Sequence, residues 1–299
     1  FSSRFPLRYY NKLNFLLNST FTLNTGGIMS PERKSFIKKL ELQNFSPNTI
    51  RIYQDALIKA SKYHYKSPIQ MNSDDIEDFL HHELTVEKLA PISVNVHKNA
   101  FKTFFRTMDP ENKVMESIGK IKLPKRLPAV LSEDEVKAMI YNTNNIKHRA
   151  IIEVLYSSGI RLQECVDLTL EDVDSKQKLL HVIGKGDKER YTIIGKRTVH
   201  TLRTYYKQYR PEHYLFEGQY HKQISKRTIE KVVHTAGVRA GIKKSVSPHV
   251  MRHCFATHLL ERNTNLRVVQ KLLGHSSVKT TSMYSHVSTV TIKNVIMST

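Results

Sequence analysis

The sequence is short of cysteine and of long apolar runs, and both shortages restrict the class of protein. Its only cysteines are Cys165 and Cys254, which lie within apolar helical patterns. They are too few for a disulfide framework or a cysteine-ligated zinc site, and they predict buried thiols in a reducing compartment. No apolar run reaches the roughly 18 residues that a membrane-spanning helix needs, so we expect no membrane span.

Acidic residues are also scarce. The 299 residues include 27 acidic side chains against 47 lysines and arginines, a formal net charge of +20 at pH 7. A chain this basic usually binds a polyanion, with nucleic acid ahead of an anionic membrane surface. The excess is greatest in residues 231–299, which contain ten lysines and arginines and one acid, Glu261. This favours a basic face in the C-terminal part, because charge that serves solubility alone normally mixes both signs.

The first 28 residues contain no acid at all, although they carry Arg4, Arg8 and Lys12. An organellar presequence has a similar composition. The chain begins with phenylalanine, and Met29 opens a more ordinary sequence. We interpret residues 1–29 as a leader or disordered arm ahead of the working protein. The alternative is an added arm that contacts nucleic acid.

Residues 30–117 carry apolar residues at helical spacing and predict a small, all-helical domain. Ser46-Pro47 predicts a helix start, with serine as the N-cap and proline in the first turn. Ser73 and Ser93 predict two further starts. The fourth helix presents basic residues that suit a nucleic-acid groove, and solvated charge on an amphipathic helix is the alternative. These residues are Lys98, Lys102 and Arg106.

The stretch KIKLPKRLP, residues 120–128, has two prolines, four basic residues and no acid. Such a composition makes a poor helix and a good linker. We therefore predict a linker over residues 118–128, with a second domain over residues 129–299. The composition of the linker also predicts contacts between its basic side chains and a phosphate backbone, in particular through Lys122, Lys125 and Arg126.

The sequence pattern of the second domain predicts helices around one β-hairpin. Ser132 and Glu135 form a capping-box pattern that starts its first helix. Two β-rich runs, residues 179–183 and 191–194, flank a glycine-containing turn and predict antiparallel strands. Further helices are predicted at about residues 196–209, 225–240, 248–262, 265–273 and 277–287.

Residues 247–260, SPHVMRHCFATHLL, predict a helix with an unusual number of polar groups near its start. Ser247 reads as the N-cap, and His249 and Arg252 lie three residues apart, on one face. A helix N-terminus, an arginine and an imidazole together form an anion site suited to phosphate. A zinc site on His249 and His253 would lack the HExxH glutamate and would place a permanent cation beside the metal. We therefore rank phosphate first and expect no metal.

Other polar residues are weak signals when each is taken alone. Arg161 follows a glycine at a predicted helix start, and Glu164, three residues on, is placed to orient its guanidinium. Lys185 stands in the hairpin turn, whose GKGDK sequence is not a Walker loop. His275 follows a glycine at a helix end, and Tyr284 lies on the next predicted helix.

Their order along the chain is more specific. The chain resembles the tyrosine recombinase (phage integrase) family in the order of its motifs. These motifs are, in turn, GIRLxE, a hairpin lysine, HxxRH, LGH and YSH. The likeness extends over about residues 36–284 and is closest to the Xer and small integrase branches. Met251 and Cys254 depart from the usual leucine and threonine or serine, but neither change removes a catalytic group.

The resemblance implies a mainly α fold. Its N-terminal part would be a SAM-like core-binding bundle, and its catalytic domain would be α-rich with a small antiparallel sheet. It further implies a scissile phosphate surrounded by Arg161, Lys185, His249, Arg252 and His275, with Tyr284 as the nucleophile. His253 resembles the histidine that supports these groups from behind.

The resemblance also implies an activity and partners. The protein would be a site-specific recombinase that cleaves duplex DNA through a 3′-phosphotyrosyl intermediate and a Holliday junction, without metal, ATP or other cofactor. Four protomers, identical or paired with a homologous recombinase, would act on two DNA sites, and no membrane is involved. The compartment would be a bacterial cytoplasm, at the nucleoid. The alternatives are a non-catalytic DNA-binding protein and a metal-dependent nuclease built on the histidines.

The chemistry suits these roles. A tyrosine with a pKa of about 10 is ionised in roughly one molecule in a thousand at pH 7, so it needs nearby cations and a base. His249 is the candidate base. Lys185 would protonate the departing 5′ oxygen, and His275 would donate to a phosphoryl oxygen.

Overall fold

A computed structural model of the chain describes residues 31–122, 129–184 and 188–274. The chain divides into two compact units, with the boundary between Arg126 and Leu127. The predicted leader and the predicted helix at 277–287 lie outside the described residues. So do five residues predicted for the site or for DNA contacts, namely Lys125, Arg126, Lys185, His275 and Tyr284.

The described part of the first unit is helical. Its helices are α1 (Pro31–Leu42), α2 (Pro47–His64), α3 (Ser73–Thr85) and α4 (Pro91–Met108), with a 3₁₀ turn at Pro68–Gln70. Helix α2 begins where predicted, because the Ser46 hydroxyl accepts a hydrogen bond from the Thr49 backbone at 3.2 Å.

Two predicted helix starts in this unit were displaced. The N-cap of α3 is Asn72, not Ser73, because Asn72 and Asp75 form a reciprocal capping box. Helix α4 begins at Pro91, two residues before Ser93, although Ala90 offers no side-chain cap. Proline suits this position because its fixed φ is helical and the N–H that it lacks would have no helical partner.

Phenylalanines dominate the core of the first unit. Phe36 and Phe104 meet edge to face at 5.2 Å between ring centroids, and Phe79 and Phe101 meet at 6.1 Å. Such pairs add to the stabilisation that apolar burial provides. Ile118 is also buried in this core, so the packing continues beyond residue 117.

The second unit combines helices with one small sheet. Its helices are α5 (Glu133–Tyr141), α6 (Ile146–Ser158), α7 (Leu162–Asp167), α8 (Lys196–Tyr209), α9 (Lys226–Arg239), α10 (Pro248–Glu261) and α11 (Leu266–Leu273). Its strands are β1 (Val173–Asp174), β2 (Leu179–Ile183) and β3 (Glu189–Ile193), in the order β1-β2-β3. Both pairings are antiparallel.

The predicted architecture of a helical bundle followed by an α-rich unit with a small antiparallel sheet is confirmed. The predicted hairpin is present, but β3 begins two residues before position 191, and Ile183 pairs with Glu189. Strand β1 was not predicted, because two residues are too few to show an alternating pattern. Among the described residues, no helix is long and apolar enough to cross a membrane.

Helix α10 is the central element of the second unit. Every residue from position 251 to 260 is buried, including Arg252, His253 and His258. Both cysteines are buried, as predicted. A helix buried on all sides must satisfy its polar side chains internally, and those bonds determine the geometry of the site.

Two side chains of α10 hold the beginning of the second unit. The Cys254 sulfur accepts a hydrogen bond from the Leu131 backbone N–H at 3.2 Å. His258 Nε2 donates to the Leu131 carbonyl at 2.9 Å, which leaves its Nδ1 to accept from the Tyr156 hydroxyl at 2.8 Å. Both backbone groups of Leu131 are therefore bonded to one helix.

Candidate functional site

Arg252 is a buried cation between the ends of two helices. Ser247 is the N-cap of helix α10, and its hydroxyl accepts a hydrogen bond from the Val250 backbone N–H at 3.3 Å. Arg252 follows within the first turns of this helix. Its guanidinium donates to the Gly159 carbonyl at 2.6 Å and to the Leu273 carbonyl at 2.7 Å. The side chain is 4% exposed, so its charge is held in one position by the folded backbone.

Gly159 makes this arrangement possible. It ends α6 in the left-handed conformation, with φ +61°. A Cβ atom at this position would lie 2.2 Å from Cδ1 of Phe255 on α10. Only glycine fits this close approach of α6 to α10, and the chain then turns directly into Arg161.

Arg161 is the N-cap residue of α7, and Glu164 holds it at two points. The Arg161 backbone N–H donates to Glu164 Oε2 at 2.6 Å, and Nη1 donates to Oε1 at 2.9 Å. The Glu164 side chain is 4% exposed, whereas that of Arg161 is 44% exposed. The buried carboxylate thus anchors a guanidinium that reaches the surface.

Sequence reasoning missed Arg190 on β3. Its Nη1 and Nη2 atoms donate to the two Glu164 oxygens at 2.9 and 2.7 Å, and its Nε donates to the Leu272 carbonyl at 2.9 Å. Nothing local distinguishes Arg190 from a solvated strand residue. The available signal was Glu164 itself, because a buried carboxylate needs a cation and further hydrogen-bond donors.

The Glu164 carboxylate remains ionised despite its burial. Burial alone would raise its pKa, but hydrogen bonds from Arg190 and from the Arg161 backbone, together with the charge of Arg190, more than offset it. The pKa falls to about 2. Glu164 therefore carries its negative charge at every pH at which the protein would work.

His249 and His253 form an imidazole pair on α10. Their Nε2 atoms are 3.0 Å apart, and the rings meet edge to face with centroids 4.2 Å apart. His249 is exposed overall, but partial desolvation of its ring, and then the charges of Arg252 and Arg161, lower its pKa. Burial, His249 and Arg252 lower the pKa of His253 to about 4. In a neutral pair one Nε2 donates to the other, so the tautomers of His249 and His253 are coupled.

This pair predicts acid sensitivity of the fold. Between pH 6.5, the ordinary histidine pKa, and about pH 4, the unfolded chain binds a proton at position 253 that the folded protein does not bind. Stability is therefore lost as the pH falls. We expect wild type to lose about 2 kcal/mol more than His253→Gln between pH 7.5 and pH 5, measured by urea denaturation.

His234→Gln is the matched control for this comparison, because His234 is exposed on α9. It should follow the wild-type pH dependence. An identical acid loss in the wild type and His253→Gln would contradict the assignment of a buried, neutral imidazole.

The structure brings together several of the predicted site residues. Arg161, His249, His253 and Arg252 cluster where α6 ends and α7 and α10 begin, with Glu164 behind Arg161. Lys185, His275 and Tyr284 lie outside the described residues, so their positions stay predictions.

The residues that immediately precede two of these predictions are described, and both lie beside Arg190. A Cβ atom at Gly184, next to Lys185, would lie 3.5 Å from Arg190 Nη1 and 3.4 Å from Glu164 Oε1. A Cβ atom at Gly274, next to His275, would lie 2.8 Å from Arg190 Cδ. Gly184 and Gly274 therefore both lie at the edge of the described cluster.

The residues predicted to contact DNA differ in their surroundings. Lys98 donates to the Ile118 and Gly119 carbonyls at 2.9 and 2.6 Å, so its ammonium group binds the end of its own unit. Lys102 and Arg106 follow on the same face of α4 at four-residue spacing and are exposed. Lys122 is also exposed, and Lys125 and Arg126 lie outside the described residues.

The described cluster has the chemistry of an anion site. It combines one buried and one exposed guanidinium with an imidazole at a helix N-terminus, and its buried acid is already paired to arginine. Forked donors of this kind match the non-bridging oxygens of a phosphodiester. In residues 31–122, 129–184 and 188–274, no three His, Cys, Asp or Glu side chains are grouped as metal ligands.

Comparisons with known proteins cover both units. The Phage integrase family model matches residues 129–290, and the model of the phage integrase N-terminal SAM-like domain matches residues 33–110. The tyrosine recombinase XerD of Yersinia pestis is 33% identical over 280 residues, which span 87% of this chain and 94% of that protein.

Solved structures share the fold. The crystal structure of XerA recombinase is 29% identical, with a TM-score of 0.51, and the match covers 86% of this chain and 93% of that one. A lambda integrase tetramer bound to a Holliday junction is 16% identical, with a TM-score of 0.70, over 95% of this chain and 87% of that one. These matches confirm the predicted fold class, including the SAM-like bundle.

Proposed function

The chain belongs to the phage integrase family, and from this premise we propose that it is a tyrosine site-specific recombinase that cleaves and rejoins duplex DNA. The observation that carries the proposal is a pair of guanidinium groups held in fixed positions. Arg252 donates to the Gly159 carbonyl, and Arg161, two residues after Gly159 in the chain, donates to the Glu164 carboxylate. An anionic phosphodiester is the ligand that two such cations and an imidazole suit best.

The two arginines would stabilise the transition state of cleavage. Attack on a phosphodiester places additional negative charge on the non-bridging oxygens of a pentacoordinate phosphorus. Arg252 and Arg161 are already held by carbonyl and carboxylate groups, so little reorganisation is needed when this charge develops.

Tyr284 would be the nucleophile, and His249 would accept its proton. The lowered pKa of His249 supports this role, because a base must be neutral before it can take a proton. Lys185 would protonate the 5′ oxygen that leaves, and His275 would donate to a phosphoryl oxygen. The resulting 3′-phosphotyrosine conserves the energy of the broken bond, so rejoining needs no ATP.

The proposed partner is double-stranded DNA at recombination sites. Two rounds of exchange between two duplexes would pass through a Holliday junction within a tetramer of this protein, or of this protein and a homologous recombinase. The lambda integrase tetramer on a Holliday junction, which shares the fold, supports this assembly. We place the reaction in a bacterial cytoplasm, at the nucleoid.

The proposed organisation follows the sequence. Residues 30–117 would form the core-binding domain, residues 118–128 the linker and residues 129–299 the catalytic domain. Residues 1–29 would be a leader or disordered arm. The separate family matches at 33–110 and 129–290 support this division.

A nicked suicide duplex tests the function. After cleavage close to the nick, the short strand with its 5′-hydroxyl diffuses away, and a covalent protein–DNA adduct accumulates. We expect the adduct with the wild-type protein in excess EDTA, because fixed cations take the place of a metal. Binding without an adduct would favour a non-catalytic DNA-binding protein, and EDTA-sensitive cleavage restored by added metal would favour a nuclease.

The surroundings of Lys98 and Lys102 predict different effects on DNA binding. We expect Lys102→Gln to reduce the slope of log K against log salt by about 0.9, because one phosphate contact is lost. Lys98→Gln should leave the slope unchanged and instead lower the melting temperature, because Lys98 binds carbonyls of its own unit. Equal salt slopes for wild type and Lys102→Gln, measured by fluorescence anisotropy, would rule out a phosphate contact at Lys102.

A further inference from the structure

Arg190 connects separate elements of the described site through its hydrogen bonds. It lies on β3, and its side chain is 10% exposed. One end of its guanidinium binds both oxygens of Glu164 on α7, and its Nε binds the last turn of α11 through the Leu272 carbonyl. Three separate elements, β3, α7 and α11, therefore meet at one side chain.

The two links lead to different functional groups. Through Glu164, Arg190 is one step from Arg161, because the same carboxylate oxygen, Oε1, accepts from both arginines at 2.9 Å. Through Leu272, it holds the end of α11 at the residue before Leu273, whose carbonyl accepts from Arg252.

We propose that Arg190 is a positioning residue for DNA cleavage, which fixes Arg161 through Glu164 and fixes the end of α11 relative to both catalytic arginines. The proposal rests on the proposed function. Arg190 does not touch the scissile phosphate in this role. It sets the separation of groups that do, and a displacement of about 1 Å in such a site costs roughly 100-fold in rate.

Lysine cannot replace Arg190 in this role. The planar guanidinium spans two carboxylate oxygens and a carbonyl, whereas an ammonium group donates from a single point. Arg190→Lys therefore keeps the charge but loses the geometry, and Arg190→Gln loses both.

Single-turnover cleavage of the nicked duplex by the wild-type protein and these variants tests the proposal. We expect both variants to cleave about 100-fold more slowly than wild type while their DNA affinity stays within about three-fold and their melting temperature shows a folded protein. Arg203→Gln, an exposed arginine on α8, is the matched control and should cleave at the wild-type rate.

The pH profile separates positioning from a general loss of stability. Glu164 is faced by Arg190 from β3 and by Arg161 from its own helix. In Arg190→Gln, burial is no longer offset by Arg190, so the Glu164 pKa rises and the acid protonates as the pH falls. The rate of this variant relative to wild type should therefore decrease from pH 8 to pH 5.5. For Arg190→Lys, which retains the charge, this ratio should stay constant.

Gly274→Ala displaces Arg190 without removing it. The added Cβ would lie 2.8 Å from Arg190 Cδ and 3.1 Å from its Nε. Gly241→Ala is its matched control, because Gly241 has a similar φ of +71° but a Cβ there meets no atom within 4 Å. We expect slow cleavage with Gly274→Ala and wild-type cleavage with Gly241→Ala. In the Arg190→Gln background, Gly274→Ala should add little further loss, because both changes break the same contact.

The proposal is overturned if Arg190→Gln and Arg190→Lys cleave at the wild-type rate. It is also overturned if both variants cleave slowly, the ratio of their rates to the wild-type rate does not change with pH, and their melting temperatures fall in parallel. It is also overturned if Gly274→Ala adds its full effect to Arg190→Gln. Wild-type cleavage in the same assay keeps these outcomes distinct from failure of the proposed function, in which no variant and no wild-type protein would form an adduct.

Discussion

Replacing Tyr284 by phenylalanine is expected to abolish the covalent adduct on a nicked duplex and to leave DNA affinity within about two-fold. The phenol oxygen is the only atom removed, and no water can take its place in a reaction whose product is a protein–DNA bond. The measurement is a denaturing gel of labelled DNA after single-turnover cleavage, with anisotropy on the same samples for affinity.

Tyr220→Phe is the matched control, because Tyr220 belongs to the same unit and is 87% exposed. It should form the adduct at the wild-type rate. An adduct that persists in Tyr284→Phe would show that the nucleophile is a different residue. An adduct that disappears equally in Tyr220→Phe would show that the loss is not specific to Tyr284.

Replacing Arg252 by lysine is expected to slow cleavage by about 100- to 1,000-fold, the usual cost of removing one donor to a developing oxyanion. Arg252 already donates to the Gly159 and Leu273 carbonyls, and a lysine cannot serve both carbonyls and a phosphate oxygen. Arg252→Ala should in addition unfold more easily, because two buried carbonyls lose their donor.

Single-turnover rates, DNA affinity and melting temperature together test this expectation. Arg262→Lys is the matched control, because Arg262 is the C-cap residue of the same helix α10 and its side chain pairs with Glu133 at the surface. It should cleave normally. A wild-type rate for Arg252→Lys at saturating DNA would contradict a transition-state role for this arginine.

Local patterns correctly predicted three of the helix starts at which a side chain caps its own helix. Ser46, Ser132 and Ser247 all accept the predicted backbone hydrogen bonds, because each cap depends on residues within three positions. Ser93 failed because Pro91 can start a helix without a side-chain cap.

The site was only partly predictable for the same reason. Arg161 and Glu164 are three residues apart, so the sequence indicates their pairing directly. Arg190 is 26 residues from Glu164 and 82 from Leu272, and only the folded chain brings these groups together. The family resemblance supplied the proposed catalytic residues, but it did not supply Arg190.

The contact between Cys254 and Leu131 gives a structural role to the cysteine that lies two residues after Arg252. The position has to provide a lone pair for a backbone N–H, and a thiol sulfur does so as a hydroxyl oxygen would. His258 binds the carbonyl of the same residue, Leu131. Burial also raises the pKa of this thiol, which keeps it protonated and unreactive toward alkylating agents and oxidants. A small side chain that accepts a hydrogen bond from the Leu131 backbone N–H therefore suits this position.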